Sequence, residues 1–230
     1  MTREEAPREP ARLVVISGGT SNPSTTRMLA DRTAQATLDK LREAGREATV
    51  SVIDLAPMAV DIARSLVSGT PTESVEAAIQ TIAGADGLVV STPVYKAGVS
   101  GLVKSFVDLL DNDLVVAKPV LLAATAGTQR HAMVVDDQLR PLFAFLRALP
   151  VPTSLFADPD DWSNPSLTKR IKRAATELAL LVNAGIADKI SDAAWDGYQH
   201  QFAGNATRAE QGVGDVNFDT DLMRLATGRR

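Results

Sequence analysis

The segment SGGTSNPSTTRMLA, residues 17–30, joins a short apolar run to a stretch with helical spacing. The run before it, residues 13–16, has the length and composition of a buried strand. Glycines and hydroxyl residues at a helix N-terminus are typical of an anion-binding cradle, because the N–H groups of the first helical turn are unpaired and lie at the positive end of the helix dipole. An ordinary strand-to-helix turn with a Ser or Thr cap explains the same residues. These residues alone leave both interpretations open.

Apolar runs and helical patterns alternate along most of the chain. After the first strand, the apolar runs predict four further strands, at residues 49–55, 87–91, 119–124 and 151–156. Helical spacing predicts the intervening helices, at residues 24–44, 70–83, 100–111, 133–148 and 167–184. Pro141 falls inside the fourth of these helices and predicts an interruption there.

The early strands are apolar on both faces, which is typical of a parallel sheet covered by helices on both sides. Five strand–helix units in about 185 residues are too few for an eightfold barrel and predict a doubly wound α/β sheet. We predict a disordered N-terminal tail over residues 1–11, one domain over residues 12–185 and a C-terminal extension over residues 186–230.

Composition excludes several classes of function. The chain has 230 residues, a formal net charge of −4 and no cysteine. The acidic balance predicts neither a nucleic-acid partner nor a membrane surface, and the missing thiols exclude disulfides and thiolate chemistry. No apolar stretch approaches the roughly 18 residues needed to cross a bilayer, and the polar start lacks the apolar core of a signal peptide. We therefore expect a cytoplasmic protein.

Three loops with unusual chemistry each follow a predicted strand, at residues 17–26, 92–100 and 125–131. In an open α/β sheet, ligands bind beyond the carboxyl ends of the strands, where the winding direction reverses. If the strand order is 2-1-3-4-5, the first two loops flank that point and the third lies beside them. The sequence therefore predicts one ligand that touches all three loops.

Two familiar phosphate sites do not fit the first loop. No lysine follows a glycine there, so the loop lacks the Walker A pattern, and residues 17–20 do not supply the glycines of a dinucleotide-binding turn, although Asp54 ends a strand. A phosphomonoester held by hydroxyls and backbone N–H groups remains compatible with these residues, because each Ser or Thr can donate one hydrogen bond.

The second and third loops suit a flat ring. Tyr95 could cover a ring, and Lys96 could offset negative charge that develops on it. The alternative interpretation is that Tyr95 is a packed aromatic residue and Lys96 a solvated surface charge. Pro93 predicts a turn away from the strand, and Gly98 lets backbone approach closely. Backbone donors near Gly127 would suit carbonyl oxygens at a ring edge.

The sequence resembles the NADPH-dependent FMN reductases of the flavodoxin-like superfamily, and most of all the bacterial branch that partners luciferase-like flavin monooxygenases. The resemblance rests on SGGTSNPSTTRMLADR, TPVYKAGVSGLVKSFVDLL and TAGTQRHAMVVDDQLRPLFAFL, in family order and spacing, and FDTDLMRLATG extends it nearly to the end of the chain. It implies a flavodoxin-like, five-stranded parallel sheet of order 2-1-3-4-5 with helices on both faces.

The resemblance also implies a set of site residues. The FMN phosphate would lie on a group of hydroxyl residues: Ser17, Ser21, Ser24, Thr25 and Thr26. The isoalloxazine would lie against one segment of the second loop: Pro93, Val94, Tyr95 and Lys96. Thr125, Ala126 and Gly127 would lie at its other edge, although many relatives carry a second glycine where Ala126 stands. No catalytic acid or base and no metal site is implied.

The implied activity is hydride transfer from NADPH or NADH to free FMN, which supplies reduced flavin to a partner monooxygenase. An FMN-containing quinone or azo-dye reductase and a flavodoxin-type electron carrier remain alternatives, although carriers are typically smaller and more acidic. We also expect a homodimer or homotetramer, because the segments around 100–111 and the one holding Phe143 and Phe145 carry more apolar residues than one buried face needs.

Overall fold

A twisted sheet with helices on both faces organises the computed structural model, which describes residues 9–194. The strands are β1 (Ala11–Ser17), β2 (Ala48–Asp54), β3 (Gly87–Tyr95), β4 (Gly98–Val99), β5 (Pro119–Thr125), β6 (Leu149–Pro150) and β7 (Leu155–Ala157). The α-helices are α1 (Thr25–Glu43), α2 (Ala59–Ser68), α3 (Glu73–Ala83), α4 (Gly101–Val107), α5 (Arg140–Phe145), α6 (Pro165–Asn183) and α7 (Ile186–Ala194). A π-helix (Val135–Leu139) precedes α5, and 3₁₀ turns lie at Gln129–His131 and Asp160–Ser163.

The predicted strand order is confirmed. The five main strands are parallel in the order β2-β1-β3-β5-β7, which is the doubly wound arrangement expected from the sequence. Two short strands are additional: β4 pairs antiparallel with β3, and β6 pairs with β5 ahead of β7. The predicted fifth strand at 151–156 is wrong in its bounds, because Pro150 and Pro152 lack the N–H group that would continue one ladder.

Each face of the sheet has its own core. Leu13, Val15 and Leu121 face α1 and α6, where they pack with Leu29 and Leu178. The alternate residues of the same strands face α2, α3, α4 and α5. Ile16, Val90 and Leu122 pack there with Phe106 and Phe143. This alternation explains why the strands are apolar throughout, since a central strand covered on both sides has no solvated face.

Several helix predictions need correction. The predicted helix at 70–83 begins at Glu73, and a separate helix, α2, precedes it although the sequence analysis assigned none there. The interruption predicted at Pro141 is confirmed: the π-helix ends at Leu139 and Pro141 stands in the first turn of α5. Of the apolar residues predicted to be in excess on the segments 100–111 and 133–148, Phe106 and Phe143 are buried in the core, whereas Met133 and Phe145 are exposed.

The described residues include parts of both predicted terminal segments. Ala11 is buried in β1, so the sheet begins one residue inside the predicted tail. The start of the predicted extension forms α7, and the rest of both segments, residues 1–8 and 195–230, lies outside the described residues. Across residues 9–194, no helix combines the length and the apolar content that crossing a membrane would require.

Candidate functional site

A layer of buried hydroxyl groups lies where β1, β3 and β5 end. Ser17, Ser91 and Thr125 occupy the face that α1 covers, and Ser17 lies directly opposite Ser91 in the β1–β3 register. Ser91 Oγ donates to the carbonyl oxygen of Thr26 at 3.0 Å, and the Oγ1 atoms of Thr26 and Thr125 share a hydrogen bond of 2.7 Å. These bonds tie the first turn of α1 to the two neighbouring strands.

Ser17 is the exception in this layer. Its side chain is fully buried, yet its Oγ has no hydrogen-bond partner among the described residues. A buried hydroxyl without a partner costs free energy, so such a group in a native site calls for a ligand or another explanation. Ser17 therefore lies beneath the first loop with an unused hydroxyl.

Two glycines bring the first loop close to its neighbours. The Gly18 N–H donates to Ser91 O at 2.9 Å, and a Cβ at Gly18 would lie 2.2 Å from Val103 Cγ2. A Cβ at Gly19 would lie 2.0 Å from Ser24 Oγ and 3.2 Å from Thr26 Cβ. Any larger residue at Gly19 would fill the space between the loop and the start of α1.

The start of α1 leaves a group of donors unused. Ser24 is the N-cap, and its Oγ accepts the Arg27 N–H at 3.2 Å. Within the described part of the chain, the backbone N–H groups of residues 19–22 and 24–26 make no hydrogen bond. Arg27 brings little free charge to them, because its side chain pairs with Asp31 at 2.7 Å and lies 3.7 Å from Asp54. We call residues 19–26 the cradle, and it is rich in neutral hydrogen-bond donors.

The second loop differs from its predicted form. Pro93 does not turn the chain; it lies within β3 opposite Thr125, and the strand continues to Tyr95. A two-residue hairpin then leads into β4, with Lys96 and Ala97 both at positive φ, 50° and 64°. The Tyr95 hydroxyl shares a hydrogen bond of 2.8 Å with Thr20 Oγ1, which joins this hairpin to the first loop. Tyr95 and Lys96 are exposed.

The third loop divides its donors between the fold and the surface. The Ala126 N–H donates to Ala157 O at 3.2 Å and so extends the pairing with β7. The N–H groups of Gly127 and Thr128 have no such partner within residues 9–194. Thr128 Oγ1 accepts the Arg130 N–H at 3.3 Å and starts the 3₁₀ turn. Gly127 is exposed, and a Cβ there would meet nothing within 4 Å.

The structure brings the three predicted loops to one edge of the sheet. Thr26 contacts Thr125 across the first and third loops, and Tyr95 contacts the first loop through Thr20. Ser21 and Thr25 are exposed in the cradle, and Val94 is half-buried against the core. Thr20 and Ser91 also belong to this edge, although they are not among the predicted site residues. Ser91 could have been found by aligning the ends of the two predicted strands.

Comparison with known proteins shows which family the chain belongs to. The model of the NADPH-dependent FMN reductase family matches residues 11–163, which is more than half of the chain. The chain belongs to this family. As an FMN reductase, it is an oxidoreductase that uses FMN and a reduced nicotinamide nucleotide.

Individual relatives agree with the family match. An "FMN reductase (NADPH)" of Pseudomonas aeruginosa is 36% identical over 172 residues, which cover 74% of this chain and 89% of that protein. An "NADH-dependent FMN reductase SfnE" of Pseudomonas putida is 39% identical over 180 residues, covering 76% and 94%. An oxidoreductase structure from Corynebacterium diphtheriae is 40% identical with a TM-score of 0.75, covering 77% of this chain and 99% of that one.

The residues of the reductase's sheet edge fit FMN. The flavin carries a phosphomonoester, which needs several donors close together, and the cradle offers unpaired N–H groups and hydroxyls. The unused Ser17 Oγ and the space preserved by Gly19 both suit a group seated at the start of α1. Beside the cradle, Gly127 is exposed and a Cβ there would meet nothing within 4 Å.

Proposed function

We propose that this FMN reductase passes reduced FMN to a partner flavin-dependent monooxygenase, and that FMN is an exchangeable substrate. One observation carries the proposal: the cradle at the start of α1 offers neutral donors, while Arg27, the cation on its first turn, is paired with Asp31 and Asp54. Neutral donors hold a phosphate dianion less firmly than bidentate arginines do. A flavin held in this way can leave after it has been reduced.

The phosphate would bind among the hydroxyl residues of the first loop. Ser21, Ser24 and Thr25 would donate hydroxyl and backbone hydrogen bonds from the cradle, and the positive end of the α1 dipole would add to the attraction. Thr26 and Ser17 would support the cradle from below, where Thr26 is already bonded to Thr125.

The ring would lie between the second and third loops. Pro93 and Val94 would form its floor, and Tyr95 would border it where the hairpin meets the first loop. Thr125, Ala126 and Gly127 would lie at the opposite edge. Because the Ala126 N–H is already bonded to Ala157, the free N–H groups of Gly127 and Thr128 would be the donors there.

Bound FMN supplies the acceptor for a hydride from the reduced nicotinamide. The protein's part is to hold the ring and to stabilise the negative charge that reduction adds to it. The ammonium group of Lys96 and the N–H groups of Gly127 and Thr128 would stabilise that charge, because preorganised donors beside the ring lower the cost of forming it. No protein acid or base is required for this transfer.

We further propose that the enzyme assembles as a homodimer or homotetramer. Met133 and Phe145 are exposed by 60% and 70%, and both belong to the segment that contains the π-helix and α5. Large apolar side chains exposed on one segment favour a protein interface. Light scattering that finds only a 24.4 kDa species at low micromolar concentration would contradict this assembly.

Steady-state oxidation of NADPH and NADH, with and without added FMN, tests the proposed function. We expect turnover to depend on added FMN, to saturate at micromolar flavin, and to persist when a monooxygenase of the luciferase-like class consumes the product. Protein that purifies with stoichiometric FMN and reduces quinones or dyes without added flavin would contradict the proposal.

A further inference from the structure

The hairpin between β3 and β4 adopts a backbone conformation that its own residues disfavour. Lys96 and Ala97 both have positive φ, as a two-residue turn of type I′ requires. Such turns favour Gly, Asn or Asp, because a side chain with a Cβ is strained in the left-handed region. Neither Lys96 nor Ala97 relieves that strain, so contacts outside the turn must stabilise its conformation.

Gln138 supplies those contacts. Its Nε2 donates to the Ala97 carbonyl oxygen at 3.1 Å, and its Oε1 accepts the Val99 N–H at 3.1 Å. The two bonds fix the orientation of the amide, since a carbonyl only accepts and a backbone N–H only donates. A Cβ at Gly98 would lie 3.2 Å from Gln138 Oε1, so the hairpin and the amide are in close contact.

The segment that carries Gln138 is itself well anchored. Gln138 lies in the π-helix, whose end residues Val135 and Leu139 are buried in the core. The neighbouring Arg140 donates to Asp136 at 2.9 Å and to the carbonyl oxygen of Val151 at 3.0 Å. π-helical turns recur at functional sites, where they aim a side chain that a regular helix would direct elsewhere.

We propose that Gln138 is a positioning residue for flavin reduction, because it holds the strained turn that presents Lys96 beside the ring. This inference rests on the proposed function. Gln138 would act through the backbone of Ala97 and Val99, and so we assign it a positioning role and not a catalytic one. Tyr95, at the start of the same turn, is fixed from the other side by Thr20.

A rescue experiment separates this role from a merely structural one. Gln138→Ala should lower kcat for FMN reduction by about tenfold and change the KM for FMN by less than about twofold, because the loss is one of orientation. Ala97→Gly makes the turn intrinsically favourable, so the double variant Gln138→Ala/Ala97→Gly should recover to within about threefold of the Ala97→Gly enzyme. Asp137→Ala is the matched control, since Asp137 is an exposed neighbour on the same π-helix whose carboxylate has no partner within residues 9–194.

Amide hydrogen exchange at Val99 gives a readout that needs no flavin. It should accelerate in Gln138→Ala and not in Asp137→Ala, because the Val99 N–H loses its acceptor. Unchanged kcat in Gln138→Ala, or a loss that Ala97→Gly fails to rescue, would overturn the inference. A wild-type enzyme without FMN-stimulated turnover would instead refute the proposed function and the role of Gln138 with it, even where Val99 exchange still reported the contact.

Discussion

The two edges of the sheet solve the same problem in different ways. Parallel strands leave unpaired polar groups at both of their ends. At the amino edge, where the strands begin, charged side chains form hydrogen bonds with these groups; the carboxyl edge is where the strands finish. Lys118 Nζ donates to the carbonyl oxygens of Ala83 and Ala85, each at 2.7 Å. Asp86 accepts the Arg12 N–H at 2.6 Å, and its own N–H donates back to Arg12 O.

At the carboxyl ends of β1, β3 and β5, the buried side chains include the neutral hydroxyls of Ser17, Ser91 and Thr125, and several nearby polar groups lack partners within residues 9–194. Ser17 Oγ and the N–H groups at the start of α1 make no hydrogen bond within residues 9–194. The amino edge has one comparable gap, Arg46 Nε, although the same guanidinium donates to Val182 O at 2.7 Å. Under the proposed function, the amino edge serves stability and the carboxyl edge binds the phosphate of FMN.

The largest expected effect comes from closing the cradle. Gly19→Val should weaken FMN binding by about a hundredfold or more, because a side chain there would displace Ser24 and remove several donors together. Gly84→Ala at the amino edge is the matched control, since its Cβ would meet nothing closer than 3.4 Å. Fluorescence titration with FMN measures both. Equal affinities in the two variants would break the proposed contrast between the edges.

A smaller effect is expected from the charge beside the ring. Lys96→Ala should slow flavin reduction by about tenfold and weaken FMN binding much less, because the charge it offsets develops as the ring is reduced. Stopped-flow absorbance at the flavin band, set beside equilibrium titration, separates the two quantities. If the variant reduces FMN at the wild-type rate, Lys96 is a solvated surface charge with no part in flavin reduction.

No effect on flavin binding is expected from the amino edge. Lys118→Met should leave FMN affinity within about twofold but lower the free energy of unfolding by about 1–3 kcal/mol, since two carbonyls lose their donor. Denaturant unfolding and FMN titration of the same preparation measure both. A large loss of FMN affinity without unfolding would show that the two edges are coupled.

Lys118 also predicts a pH dependence. Burial lowers the pKa of Lys118 below its ordinary value of 10.5, because desolvation disfavours the ammonium form; Asp86 and Asp188 oppose that shift. Between the lowered pKa and 10.5 the unfolded chain binds more protons than the folded chain, so this site makes the free energy of unfolding rise with pH. The penalty is full below the lowered pKa. Lys118→Met should remove that slope, and an identical slope in both proteins would contradict the assignment.

The sequence predicted the parallel sheet and the meeting of the three loops at one edge of it, because both depend on local signals. Alternating apolar runs predicted the five main strands, and the resemblance to the family implied their order. The end of α1 also follows a local signal, since Gly45 has a φ of 77° and the Arg46 N–H is bonded to Leu41 O. Thr26 and Thr125 were both placed at the site, although their direct contact joins residues 99 positions apart.

What the sequence did not predict depends on contacts distant along the chain. The β3–β4 hairpin carries no Gly, Asn or Asp at positions 96 and 97, so the sequence held no signal for a two-residue hairpin there, and the shape of the turn depends on Gln138. Helix α2 was not predicted because it buries only Ile62 and Ser65, and so few buried positions give no clear helical pattern of apolar residues. Ser91 was missed because its role follows from register across two strands.

Titration with FMN and riboflavin tests the central claim, that the carboxyl edge binds a phosphate through neutral donors. The wild-type protein should bind FMN at least about a hundredfold more tightly than riboflavin, and Ser24→Ala/Thr26→Ala should lose at least about tenfold of its FMN affinity while its riboflavin affinity is unchanged. Circular dichroism controls for the loss of the α1 cap, which costs about 1 kcal/mol. Equal affinity of the wild-type protein for the two flavins would contradict the account.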